Sequence, residues 1–141
     1  MSVTLNPYLS FEANAREALE FYRSVFGGEL STSTFAEFGM SEDPADGEKI
    51  MHGQLTTPNG LTLMAADTPP GTPYAAPAGI SISLSGESED DAVLRGYWDA
   101  LREGGSEVVP LEVAPWGDAF GMLVDRFGVS WMVNIAGGEP S

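Results

Sequence analysis

Polar and apolar positions alternate most regularly between Trp116 and Ile135, and much of the chain repeats that pattern. Val129, Trp131, Val133 and Ile135 fall on one face of an extended segment, and Ser130, Met132 and Asn134 on the other. Alternation of period two predicts a half-buried strand. The turn before it, Asp125-Arg126-Phe127-Gly128, starts on an acid and ends on glycine, which predicts a hairpin with the segment upstream. The Ser-Met-Asn face is too polar for a core and too mixed for a plain solvent face. Such a face suits the lining of a cavity.

Two stretches switch to helical spacing. Ala15, Ala18, Leu19, Tyr22, Val25 and Phe26 form one apolar stripe, opened by a capping box from Asn14 to Glu17 and stopped by Gly27-Gly28. Val93, Leu94, Tyr97, Trp98 and Leu101 form a second, with Ser88 as its cap, Asp91 three residues on, and Gly104-Gly105 as its stop. Further strands are expected over residues 8–11, 29–38, 50–57, 61–66, 80–85 and 107–113, with Pro58-Asn59-Gly60 as a hairpin turn. Residues 39–48 are acidic, contain Pro44 and Gly47, and read as an exposed loop. Residues 67–78 hold four of the ten prolines and read as a connector.

The order strand, helix, Gly-Gly, strand, hairpin therefore occurs twice. Gly60-Leu61-Thr62-Leu63-Met64 aligns with Gly128-Val129-Ser130-Trp131-Met132, the two glycines standing 68 positions apart (128 − 60). The pattern predicts an α+β fold of two βαβββ modules within one domain, residues 1–141. Module one spans 1–67, the connector 68–78 and module two 79–137. A curled mixed sheet is expected around a central cavity, with the helices on its outer face.

Composition narrows the partners. A length of 141 residues suits one domain with its own core. Twenty-one acidic residues against 6 basic ones give a net charge of −15. That field opposes nucleic-acid phosphates and anionic membranes, and it either attracts cations or only solvates the surface. The absence of cysteine excludes disulfides and thiol chemistry. The N-terminus lacks the basic and apolar regions of a signal peptide, and no apolar run approaches membrane-spanning length. A cytoplasmic protein that binds neither nucleic acid nor membrane is expected.

The segments Pro7-Tyr8-Leu9-Ser10-Phe11, Asn14-Ala15-Arg16-Glu17-Ala18, Phe21-Tyr22, Val25-Phe26-Gly27-Gly28, Met51-His52, Trp116-Gly117, Asp125-Arg126-Phe127-Gly128 and Trp131 to Asn134 carry a family resemblance. With the paired βαβββ pattern, they make the chain resemble the PhnB-like branch of the vicinal oxygen chelate superfamily, the glyoxalase and bleomycin-resistance group. The resemblance implies the fold, a homodimer and a small-molecule ligand. In metal-dependent members, histidine in a module's first strand and glutamate in its last supply the ligands. Those glutamate positions fall on Met64 and Met132, and the histidine positions near Pro7 and near Gly79 or Ser81. Thioethers suit soft copper(I), not hard divalent ions. Neither a metal nor another cofactor is therefore expected.

The candidate ligand-binding residues are His52, Gln54, Thr62, Met64, Trp116, Asp118, Ser130, Met132 and Asn134. His52, the only histidine, is the one candidate catalytic group, as an acid–base near neutral pH; the alternative is a structural or solvated histidine. Met64 and Met132 offer an adaptable lining or plain core packing. Trp116 and Asp118 would grip a cationic or ring-bearing ligand, unless Trp116 only lids the core. Asn134 would orient a ligand or satisfy the strand end. Ser81, Ser83 and Ser130 lack a histidine–acid partner pattern for a nucleophile. Two functions follow: a metal-free binding protein, or a metal-dependent or His52-dependent lyase or isomerase.

Overall fold

The computed structural model describes residues 5–38, 47–69, 73–74 and 79–137. Most of the acidic loop and most of the connector lie outside these residues. The chain divides into two compact units, Met1–Ala76 and Pro77–Ser141. In the first, β1 (Tyr8–Phe11) is followed by α1 (Ala15–Phe26), β2 (Glu29–Thr34), a 3-10 turn (Ala36–Phe38), β3 (Ile50–Thr56) and β4 (Thr62–Asp67). In the second, β5 (Ile82–Gly86) is followed by a 3-10 turn (Ser88–Asp90), α2 (Asp91–Arg102), β6 (Ser106–Val113), β7 (Ala119–Val124) and β8 (Ser130–Ile135).

Each unit holds one four-stranded sheet, in the orders β1-β4-β3-β2 and β5-β8-β7-β6. The first strand of each unit runs parallel to the last, and the other neighbours are antiparallel. This is an α+β fold with the βαβββ order in both units. Ala15, Ala18, Leu19 and Tyr22 of α1 are fully buried, together with Leu55 and Ala65 of the first sheet. Leu94, Trp98 and Leu101 of α2 are buried, as are Leu123, Trp131 and Val133 of the second.

Glycines set how closely each helix approaches its sheet. A Cβ on Gly53 in β3 would overlap Leu19 Cδ1 of α1, and one on Gly121 in β7 would come within 2.8 Å of Trp98 of α2. The Gly-Gly stops share two features in both units, a positive φ at the first glycine and a close main-chain approach at the second. Gly27 and Gly104 take positive φ, 74° and 75°, which glycine adopts at little cost. A Cβ on Gly28 would overlap the Thr56 carbonyl oxygen, and one on Gly105 the Val124 carbonyl oxygen.

The helix starts differ from the sequence expectation. Asn14 precedes α1, but its side chain makes no capping bond. The Ala15 N–H instead donates to Asp67 Oδ1 at 2.9 Å. Asp67 was expected to open the connector; it closes β4 and is 3% exposed. Ser88 is not the cap of the second helix either. Glu87 and Asp90 form a capping box around the 3-10 turn, and α2 follows from Asp91.

Several apolar positions also depart from the pattern. β2 ends at Thr34, so its expected last residues form the 3-10 turn. Leu61, expected to begin a strand, is 38% exposed because it belongs to the hairpin turn, where its N–H donates to Thr57 Oγ1 at 2.9 Å. Ile80 precedes β5 and is exposed, and so is Val93 in the first turn of α2.

Candidate functional site

Directly paired residues of neighbouring strands share a sheet face. In the first unit Met64 is opposite both Tyr8 and Gln54, Thr62 opposite Thr56, and His52 opposite Ser33. The other parity, with Leu9, Leu55, Leu63 and Ala65, is the α1 side. Tyr8, His52, Gln54, Thr62 and Met64 thus lie on the face opposite α1. Tyr8 is 51% exposed and the other four are half-buried.

The Tyr8 and His52 rings stand 5.8 Å apart and tilted by 40°. With its proton on Nε2, His52 accepts at Nδ1 from the Tyr8 hydroxyl at 3.4 Å. This arrangement leaves Nε2–H to donate to a bound molecule. The Gln54 amide donates to Thr56 Oγ1 at 3.3 Å. A hydroxyl, an imidazole, an amide and a thioether are thereby gathered on one accessible surface.

The remaining candidates belong to the second unit. Ser130, Met132 and Asn134 lie directly opposite Val124, Met122 and Phe120, so all six occupy the face away from α2. Trp116 is 64% exposed, and its ring meets Phe120 edge-on at 5.8 Å. Asp118 accepts from the Gly137 N–H at 2.8 Å and from Asn134 Nδ2 at 3.1 Å. The Gly137 backbone bond, followed by the Asn134 amide, holds the Asp118 carboxyl below the usual carboxylate range, against a smaller opposing effect of burial. Asp118 and Asn134 therefore tie the exit of β8 to the loop before β7. The structure brings His52, Gln54, Thr62 and Met64 to one face and Ser130, Met132 and Asn134 to another.

Sequence reasoning missed Tyr8, Phe120 and Met122. Tyr8 reads as part of a short apolar strand, and its place beside His52 depends on the parallel pairing of β1 with β4. Phe120 and Met122 share the period-two signal of their hairpin partner and were legible from it.

The residues at the positions that the resemblance assigns to a metal do not suit a hard cation. Met64 and Met132 present half-buried thioethers where metal-dependent members carry glutamate. Among the described residues no group of three or more His, Cys, Asp or Glu is placed to hold a metal ion. A recess of about 250 Å3 lies elsewhere, between α2 and β6, lined by Arg95, Trp98, Asp99, Arg102, Glu107, Pro110 and Leu111. Its arginines are paired with Asp91, Asp99 and Glu107.

Residues 3–134 match the family described as 3-demethylubiquinone-9 3-methyltransferase. The chain belongs to this family. The same description is carried by a PhnB protein, and in fold the chain resembles glyoxalase and bleomycin-resistance proteins. The crystal structure of PA1353 from Pseudomonas aeruginosa is 43% identical, with a TM-score of 0.79 over 96% of this chain and 99% of that one. The PhnB protein from Bacillus cereus is 28% identical, with a TM-score of 0.72 over 95% and 100%. YjdN of Escherichia coli K12 is 26% identical over 148 residues, covering 97% of this chain and 98% of its own. In fold alone the chain also resembles the fosfomycin resistance protein FosX from Listeria monocytogenes, at 12% identity and a TM-score of 0.58 over 96% and 94%.

Proposed function

We propose that this family member is a small-molecule binding protein, working without a divalent metal, and that its ligand sits on the face opposite α1. The observation that carries this reading is the Tyr8–His52 pair flanked by Gln54 and Met64. These groups supply a ring surface, hydrogen-bond donors and acceptors, and a polarisable floor, the mixture found in ligand sites. FosX is described in complex with manganese(II); in this chain the glutamate positions that the resemblance assigns to metal-dependent members fall on Met64 and Met132, which supports the metal-free reading. The second face, with Ser130, Met132 and Asn134, extends the reading to the other unit.

A second reading has its own support. A hydroxyl at hydrogen-bond distance from a histidine nitrogen is a proton-transfer pair, so His52 would act as acid or base in a lyase, an isomerase or the methyl transfer named in the family description. Binding and catalysis are separated by one experiment. Chemical shifts of labelled protein are followed during a small-molecule screen, and each hit is then incubated and analysed for product, with and without a sulfonium methyl donor. Shifts at Tyr8, His52 and Gln54 that His52→Ala abolishes, with every hit recovered unchanged, support binding. Product formation lost in His52→Ala supports the enzyme.

A further inference from the structure

We infer that the ligand of the Tyr8–His52 face is a neutral or cationic molecule bearing a planar ring, and that this face discriminates against anions. The inference rests on the binding reading above and adds the chemical class of the ligand.

The charge pattern supplies the first argument. Along β1 the face carries Tyr8 and Ser10, along β4 Thr62 and Met64, and along β3 His52, Gln54 and Thr56. Along β2 it carries Ser31, Ser33 and, at the strand's start, Glu29. Among these described residues none is lysine or arginine, and the one carboxylate is Glu29. An anion brought here from water would lose hydration without a fixed cation to replace it. The chain's net charge of −15 adds a field of the same sign.

Ring geometry supplies the second. Tyr8 and His52 are tilted by 40° instead of stacked on one another, and Tyr8 is half exposed. A third ring can meet Tyr8 face-on or edge-on, and a cation over its π face is attracted by the ring quadrupole. Met64, in register with both Tyr8 and Gln54, lies between them as a thioether that favours contact with aromatic rings. The polar partners on offer are hydroxyls, an imidazole and an amide, which orient a neutral ligand by hydrogen bonds.

Benzyl alcohol, benzyltrimethylammonium and benzoate share one ring and differ in charge, so they separate these contributions. Each is titrated into isotopically labelled protein at pH 8 and constant ionic strength, with the shifts of Tyr8, His52 and Gln54 as the readout. The expected result is that the alcohol or the ammonium compound binds this face at least about tenfold more tightly than benzoate. Tyr8→Leu should remove the advantage of the ammonium compound while backbone shifts away from β1 stay in place. Benzoate binding here as tightly as the others would overturn the charge class and leave the binding reading standing. Shifts absent from this face with all three probes, or confined elsewhere, would overturn both.

Discussion

Asp67 is one carboxylate serving two chain segments. It is 3% exposed, and it accepts from the Ala15 N–H at 2.9 Å and from the Ile50 N–H at 2.8 Å. It therefore satisfies the first turn of α1 and the first residue of β3 together. Bonds to a charged acceptor contribute about 1.5–3 kcal/mol each, and an orphaned buried donor is costly. Asp67→Ala should lower stability by about 3 kcal/mol in urea denaturation, and a loss below about 1 kcal/mol would reject this cap. Asp118 is used differently, because its bonds to Gly137 and Asn134 favour the ionised form. A depressed folded value means that its contribution to stability is present above the ordinary carboxylate value, about 3.9, and is lost as pH falls through the lower folded value. A carboxyl resonance titrating below the ordinary value is expected. A midpoint at or above it would show that the two bonds do not hold in solution.

At the scale of elements, the fold depends on close approach at a few repeated positions. Gly28 combines a φ of 103° with contact to the Thr56 carbonyl, whereas Gly60 has a φ of 87° and open space around the missing Cβ. Gly60→Ala should cost about 1–2 kcal/mol, from backbone strain alone. Gly28→Ala adds a clash with main chain and should cost about 3 kcal/mol or more. Equal melting temperatures for the two variants would contradict the close approach of Gly28 to the end of β3. Parity along β8 has a similar test. Trp131 is 2% exposed and its Nε1 donates to Asp125 Oδ2 at 2.9 Å, while Met132 is half-buried on the opposite face. Trp131→Ala should cost about 3–5 kcal/mol, and Met132→Trp much less.

For the whole molecule, each four-stranded sheet has two edge strands within its own unit, and natural proteins seldom leave such edges bare. β6 carries Val108 and Val113 at 59% and 73% exposure. Pro110 and irregular register blunt the strand but leave that apolar surface. A homodimer is the expected form, and sedimentation at micromolar concentration should give twice the chain mass of 14.9 kDa. A monomer at that concentration would count against it. No helix among the described residues is long and apolar enough to cross a membrane. On the proposed metal-free reading, elemental analysis of protein purified without chelator should find well under one equivalent of divalent metal, and a full equivalent would overturn that reading.

What the sequence by itself determined is the local order: two βαβββ runs, the Gly-Gly stops, the hairpin turns, and which side of β3, β4 and β8 is apolar. These follow from periodicity and backbone freedom, which a few neighbouring residues specify on their own. The repeat was legible for the same reason, since Gly60 and Gly128 impose the same turn in both halves. Only the tertiary structure decided the pairings that reach across the chain. It replaced Asn14 with Asp67 at the start of α1, because a buried carboxylate 52 residues away meets the Ala15 N–H. It also brought Tyr8 to His52 across 44 residues, through parallel pairing of β1 with β4 and antiparallel pairing of β4 with β3. Strand register depends on the fit of whole faces against a helix, and no short stretch of the chain carries that information.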